Sequence, residues 1–226
     1  MKIIAIIPAF NEESRIAAVV RDASSFVSGV VVVDDCSRDN TANAARSAGA
    51  TVLRHAINRG QGAALQTATE YALNRLGAEV VVHFDADGQM QGCDIPAMVE
   101  PIETGAADVV LGSRFLGKKT NMPMARRVVN RLAQWFTVAI SGIRLTDTHC
   151  GFRALSRKAA QELTITLDGM AHASQIQDLI VVRRLRYVER PVTIVYSAET
   201  LAKSPSSMRA FAIVKDILKD KLITRV

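Results

Sequence analysis

Aromatic residues make up only 5% of the chain, with a single tryptophan. Binders of single-stranded nucleic acid stack bases on aromatics set among basic residues. No such pattern appears, so nucleic acid is not an expected partner. The three cysteines, Cys36, Cys93 and Cys150, lie far apart. Without CxxC or Cys/His spacing, neither a disulfide framework nor a zinc site is indicated. Reduced thiols in a cytosolic protein are the simplest reading. The start, Met1-Lys-Ile-Ile-Ala-Ile-Ile-Pro8, is too short and turns polar too soon for a signal peptide. No uninterrupted run of about 18 to 20 apolar residues occurs, so no transmembrane span is expected. A GxGxxG turn after the first strand is missing, and so is GxxxxGKS/T. Their absence counts against the dinucleotide fingerprint and the P-loop.

What remains is a chain of 226 residues, 49% apolar, with a net charge of +6. That length fits one domain, or a domain with a small appendage. The basic balance favours anionic partners such as nucleotides, phosphates or an anionic membrane surface.

Short apolar runs alternate with helical patterns along most of the chain. Strands are expected at 3–7, 30–33, 50–53, 79–84, 109–112 and 187–195. Helices are expected from Asn11 to Phe26, from Ser37 to Ala48, and over 63–76, 95–104, 124–141, 157–163, 174–185 and 207–223. Asn11 is the expected cap of the first helix, and the segment Ser37-Arg-Asp-Asn-Thr41 of the second. Strands that are apolar throughout, separated by helices, argue for a mainly parallel sheet covered on both faces. Ligands then sit at the carboxyl ends of the strands. Pro8, Asp34, Asp35, Asp85 and Asp87 all fall just beyond such ends.

The segment Val80-Val-Val-His-Phe-Asp85-Ala-Asp87-Gly-Gln89 carries the most chemistry. Taken alone, Asp-x-Asp after a strand reads as a solvated acidic turn. Gathered at a ligand-binding edge, the two carboxylates and the amide are hard oxygen ligands that suit Mg²⁺ or Mn²⁺ on a substrate phosphate. Asp34 and Asp35 are poor phosphate partners, but could accept hydrogen bonds from a base or ribose.

Six motifs occur in order: Pro8-Ala-Phe-Asn-Glu-Glu13, Val33-Asp-Asp-Cys-Ser-Arg-Asp-Asn-Thr41, Asn58-Arg-Gly-Gln-Gly62, Asp85-Ala-Asp-Gly-Gln89, Gly112-Ser-Arg114 and Asp147-Thr-His-Cys-Gly-Phe-Arg153. Together they resemble an inverting family 2 glycosyltransferase with the GT-A fold, most closely the dolichyl- and polyprenyl-phosphate sugar synthases. The resemblance covers about residues 3 to 203 and implies a catalytic domain over 1–205. It leaves 206–226 as a C-terminal amphipathic helix suited to packing or to a membrane interface.

That resemblance implies a donor such as GDP-mannose or UDP-glucose, held by Pro8, Glu12, Asp35, Asn58, Gly62 and Asp85. Asp85, Asp87 and Gln89 would bind Mg²⁺ or Mn²⁺. Arg114, Arg126, Arg127 and Lys203 would hold the phosphate of a polyprenyl-phosphate acceptor. Asp87, Asp147, Arg114 and Arg153 would form the catalytic set. An ionised acceptor phosphate needs no strong base, whereas a sugar hydroxyl does; Asp147 and Asp178 are then the candidates.

Two departures bear on the acceptor. Where the family commonly has Glu in the helix near Ser174–Ile180, this chain has Gln177. Beyond Glu189-Arg-Pro191, where the synthases carry an Arg, stands Ser197, and Lys203 is the next basic residue. Gln cannot serve as a base, so Gln177 weakens transfer to a sugar hydroxyl unless Asp178 substitutes. That transfer stands as one alternative, and Gln177 with Ser197 motivates another, a non-catalytic nucleotide-sugar binding subunit. The basic-then-apolar pattern from Arg126 to Ile140 suits docking on anionic head groups. Peripheral attachment to the inner membrane face, with an integral-membrane partner, is the expected location.

Overall fold

The computed structural model describes residues 1–116, 143–148 and 150–195. All of them fall in one compact unit, Met1–Val195. The helices expected over 124–141 and 207–223, and with them Arg126, Arg127, Lys203 and the 205/206 boundary, lie outside the described residues.

Seven strands form one sheet: β1 (Ile3–Ala9), β2 (Gly29–Asp34), β3 (Thr51–Arg54), β4 (Val80–His83), β5 (Val109–Ser113), β6 (Arg153–Ser156) and β7 (Tyr187–Pro191). Their order is β3-β2-β1-β4-β6-β5-β7. All pairings are parallel except those of β6, which runs against both β4 and β5. The mainly parallel sheet is therefore as expected, with one reversed strand, β6, inserted between β4 and β5.

Alternation along the strands sorts the core into two layers. Ala5, Ile7, Val30, Val32, Val80, Val82 and Val110 point to one face. There they meet helices α1 (Glu13–Ser24), α2 (Thr41–Ser47) and α4 (Ile95–Glu103). Ile4, Ile6, Val31, Val33, Val81, Val109, Leu111 and Leu155 point to the other. They pack on α3 (Gln61–Asn74), α5 (Arg157–Glu162) and α6 (His172–Val182). β-Branched residues suit strands buried on both faces, and alanines at 64, 68 and 72 let α3 lie close to the sheet.

Three local expectations need correction. Asn11 does not cap α1. It sits in left-handed backbone with φ of 55°, and its Oδ1 accepts from the Arg38 N–H at 2.9 Å. Ser37 does not cap α2. Its Oγ accepts from the Asn11 N–H at 2.9 Å, so these two residues tie the first two carboxyl-edge loops together. The last strand stops at Pro191, which has no N–H for the ladder, and pairing resumes only as a single bridge between Ile194 and Met90.

Candidate active site

Three parallel strands deliver carboxylates to one edge of the sheet. β4 ends at His83, and the chain turns through Asp85, Asp87 and Gln89. The Gln89 N–H donates to Asp87 Oδ1 at 2.9 Å, which closes the turn. Asp85 Oδ1 accepts from Gln61 Nε2 at the start of α3, at 3.1 Å. On its other side lies Gly151, where a β-carbon would stand 2.5 Å from Asp85 Oδ2. Asp85, Asp87, Gln89, Arg114, Gly151 and Ile194 line one pocket.

Burial, and next the charge of Asp87, push the Asp85 carboxyl up to about 6, against the pull of Arg153 and Gln61. Burial also raises Asp87, while the Gln89 N–H, and next Arg15 on α1, draw it back. Two half-buried carboxylates that repel each other are relieved by a cation between them. Among the described residues no three His, Cys, Asp or Glu side chains stand together as a metal site. A Mg²⁺ or Mn²⁺ here would take only part of its shell from the chain and leave room for phosphate oxygens and water. The donor set fits such an ion.

Arg114, one residue beyond β5, holds Asp147 in a two-pronged pair. Nε donates to Oδ2 at 2.6 Å and Nη2 to Oδ1 at 2.7 Å, and the Arg114 backbone N–H also reaches Oδ2 at 3.1 Å. Asp147 is itself placed by Glu189 on β7. The Glu189 carboxylate accepts from the Thr146 N–H at 2.9 Å, the Thr146 hydroxyl at 2.8 Å and the Asp147 N–H at 3.2 Å. Buried in this network, Asp147 is poorly placed to take a proton from a substrate. Gln177 donates from Nε2 to the Thr148 carbonyl at 2.7 Å and braces the same loop. Asp178, the other base candidate, is half-buried on α6.

Arg153 opens β6. It is buried, facing Asp85, Asp147 and the Cys150 thiol, and its burial lowers its affinity for the proton. Burial pushes that thiol up to about 12, so Cys150 is inert. His83 pairs across the ladder with Arg153. Neither of its ring nitrogens has a hydrogen-bond partner among the described residues.

The expected nucleotide residues surround the ends of β1, β2 and β3. Pro8 lies in β1. Glu12 precedes α1 and pairs with Arg15 at 3.2 Å. Asp35 accepts from His55 Nδ1 at 2.7 Å and from the backbone N–H groups of Arg59 at 2.9 Å and Gly60 at 2.6 Å. Most of its acceptor capacity thus shapes the 55–60 turn. Asn58 Nδ2 donates to the Asp35 carbonyl at 3.2 Å. Gly62 donates its N–H to the Asp168 carbonyl at 2.7 Å, and a β-carbon there would collide with the Leu167 carbonyl. The structure thus brings Asp85, Asp87, Gln89, Arg114, Asp147 and Arg153 together, and sets Pro8, Glu12, Asp35, Asn58 and Gly62 on the neighbouring loops.

Sequence reasoning passed over Gln61, Arg15, Glu189 as a brace, Ile194 and Gly151's role. Gln61 and Gly151 sit inside motifs already singled out, and that was the available signal. Nothing in the sequence pointed to Ile194.

The model of the family described as glycosyl transferase family 2 matches residues 4–164. A UDP-N-acetylglucosamine–dolichyl-phosphate N-acetylglucosaminyltransferase of Methanococcus voltae is 30% identical, over 96% of this chain and 95% of its own length. An undecaprenyl-phosphate mannosyltransferase of Micrococcus luteus is 31% identical, over 86% of this chain and 84% of its own. Among solved structures, the glucosyl-3-phosphoglycerate synthase of Mycobacterium tuberculosis, crystallised with Mn²⁺, uridine diphosphate and phosphoglyceric acid, matches with a TM-score of 0.68. At 19% identity over 91% of this chain and 80% of that one, this likeness shows the fold. It is the GT-A arrangement expected from the motifs.

Proposed function

Because the chain belongs to glycosyl transferase family 2, we propose that it is an inverting enzyme that moves a hexose from a nucleotide sugar to a polyprenyl phosphate. The observation that carries this reading is the state of Asp147 and of position 177. Asp147 is locked to Arg114, and the position that could hold a Glu holds Gln177, turned to the Thr148 carbonyl. A sugar hydroxyl would need a base to remove its proton, whereas an acceptor phosphate is already ionised at neutral pH. The names of the M. voltae and M. luteus relatives, which carry dolichyl and undecaprenyl phosphate, support the same acceptor class.

In this scheme an oxygen of the acceptor phosphate attacks the anomeric carbon from the face opposite the diphosphate. The bond from that carbon to the diphosphate oxygen breaks, its electron pair leaves with the nucleoside diphosphate, and the configuration inverts. Asp85, Asp87 and Gln89 would hold Mg²⁺ or Mn²⁺, which when bound neutralises charge on the diphosphate. The buried Arg153 adds a fixed positive charge beside Asp85. Arg126 and Arg127, whose planar guanidinium forks suit the role, would receive the acceptor phosphate, with Lys203 as a point charge and Arg114, its fork held by Asp147, adding positive charge. Catalysis rests on positioning and charge rather than on proton transfer.

Among the described residues no helix is long and apolar enough to cross a membrane. A lipid-linked acceptor then calls for peripheral attachment at the inner membrane face, with an integral-membrane partner. The test is a panel of radiolabelled nucleotide sugars, GDP-mannose, UDP-glucose and UDP-N-acetylglucosamine, with short polyprenyl phosphate, with and without Mn²⁺. Metal-dependent lipid-linked product is the expected result. Binding of a donor without any transfer would favour a non-catalytic subunit, and transfer only to a sugar hydroxyl would move the acceptor.

A further inference from the structure

After Pro191 the chain leaves the sheet edge and crosses toward the loop that follows β4. Val192, fully buried, donates its N–H to the Ser113 carbonyl at 3.1 Å. The Thr193 N–H reaches Asp94 Oδ2 at 2.6 Å. Ile194 forms an antiparallel bridge with Met90. The Val195 N–H donates to the Gln89 carbonyl at 2.9 Å. Thus Thr193, Ile194 and Val195 are fastened in turn to Asp94, Met90 and Gln89.

The partner segment is the one that carries the carboxylates. The Asp85 N–H is directed at the Met90 sulfur at 3.3 Å. Gly88 takes a left-handed φ of 75°, so this stretch makes no regular ladder of its own. On the upstream side β4 anchors it. On the downstream side the crossing segment supplies a backbone donor to Gln89, and Ile194 lines the same pocket as Asp85 and Asp87.

We propose that Thr193–Val195 is a positioning strap for the Asp85–Gln89 loop, and that cation affinity at the two carboxylates depends on it. This rests on the reading of Asp85, Asp87 and Gln89 as metal ligands. A weakly structured loop must hold its ligands in place before a hard cation binds well, and groups that fix ligands from outside the coordination shell commonly govern affinity. The strap continues directly from β7, whose Glu189 places Asp147 and through it Arg114. One length of chain, 189–195, therefore holds both halves of the pocket, the carboxylate loop and the arginine pair.

The experiment is Mn²⁺ titration of the full chain by electron paramagnetic resonance, read as a dissociation constant without any substrate. Val195→Pro removes the N–H that reaches Gln89, and Val195→Ala keeps it. Val195→Pro should weaken Mn²⁺ binding by about 10-fold or more, while Val195→Ala stays within about twofold. Equal affinity in a folded Val195→Pro would overturn the strap and leave the metal reading intact. Absence of Mn²⁺ binding in the unaltered chain would overturn both. A second measurement does not depend on any variant folding. Coupling between strap and cation is reciprocal, so saturating Mg²⁺ should slow hydrogen exchange of the Val195 amide. An exchange rate unchanged by bound Mg²⁺ would also overturn the strap.

Discussion

Gly151 and Asp85 meet so closely that a β-carbon on Gly151 would stand 2.5 Å from the Asp85 Oδ2. The carboxylate is thus set by bare backbone on one side and by Gln61 on the other. Gly151→Ala must push Asp85 off its position. Mn²⁺ affinity should fall by about 10- to 100-fold, with the melting temperature little changed. Metal titration beside a thermal melt checks it.

Asp87 lines the pocket and accepts one turn-closing bond, from the Gln89 N–H. Asp87→Ala should abolish metal-dependent transfer while the circular dichroism spectrum stays that of the parent. Full activity in this variant would refute the metal role.

Glu189 is a brace for Thr146 and Asp147 rather than a group in the pocket. Glu189→Ala removes the carboxylate that accepts from the Thr146 and Asp147 N–H groups and the Thr146 hydroxyl, and hydrogen bonds to a charged group contribute about 1.5–3 kcal/mol. A drop in melting temperature of roughly 3–12 °C is expected for a unit of this size. Transfer should fall as well, because Asp147 no longer holds Arg114. Differential scanning calorimetry and an acceptor titration read the two effects separately.

Gln177→Glu would place a carboxylate oxygen against the Thr148 carbonyl, which now accepts a hydrogen bond at 2.7 Å. Two acceptors facing each other in a buried place should destabilise the fold by about 1–3 kcal/mol. No activity toward a sugar hydroxyl is expected to appear. A denaturant melt and an assay with hydroxyl acceptors test both parts.

Burial, then the charge of Arg153, hold the His83 ring well below its ordinary 6.5. The unfolded chain takes a proton there near 6.5 and the folded chain does not. Stability is therefore fully present above that value and is lost as the pH falls through it. Asp85 acts in the opposite sense. With its carboxyl raised from 3.8 to about 6, the fold takes the proton first, and stability gains as the pH falls through that interval. His83→Leu removes the first effect and two ring nitrogens that have no hydrogen-bond partner among the described residues. Melting temperatures between about pH 7 and 5 should fall less steeply than in the parent, and stability at neutral pH should rise by about 1 kcal/mol or more.

Much of this arrangement was legible in the sequence. Runs such as Ile3–Ile7 and Val80–Val82, short and β-branched, read as strands buried on two faces, and polar residues just beyond them then share an edge. Asp85, Asp87 and Gln89 stood out because hard ligands at short spacing follow such a run. The reversed direction of β6 was not legible, since a four-residue strand carries no sign of its sense. Nor were the braces, because Gln61 reaches Asp85 across 24 positions and Glu189 reaches Thr146 across 43. The roles assigned to Asn11 and Ser37 failed for a related reason. Each has a partner in the other's loop that local capping rules do not see.

The reversed strand has one more consequence. Arg153 is hydrogen-bonded into the ladder between β4 and β5, opposite His83 and Leu111, whereas Asp85 and Asp87 ride on a loop. Openings short of global unfolding begin where few ladder bonds hold the chain. On warming, the loop that carries Asp85 and Asp87 is expected to open before β6 releases Arg153, so that if the two carboxylates hold a divalent ion, its affinity would be lost at a lower temperature than the fold.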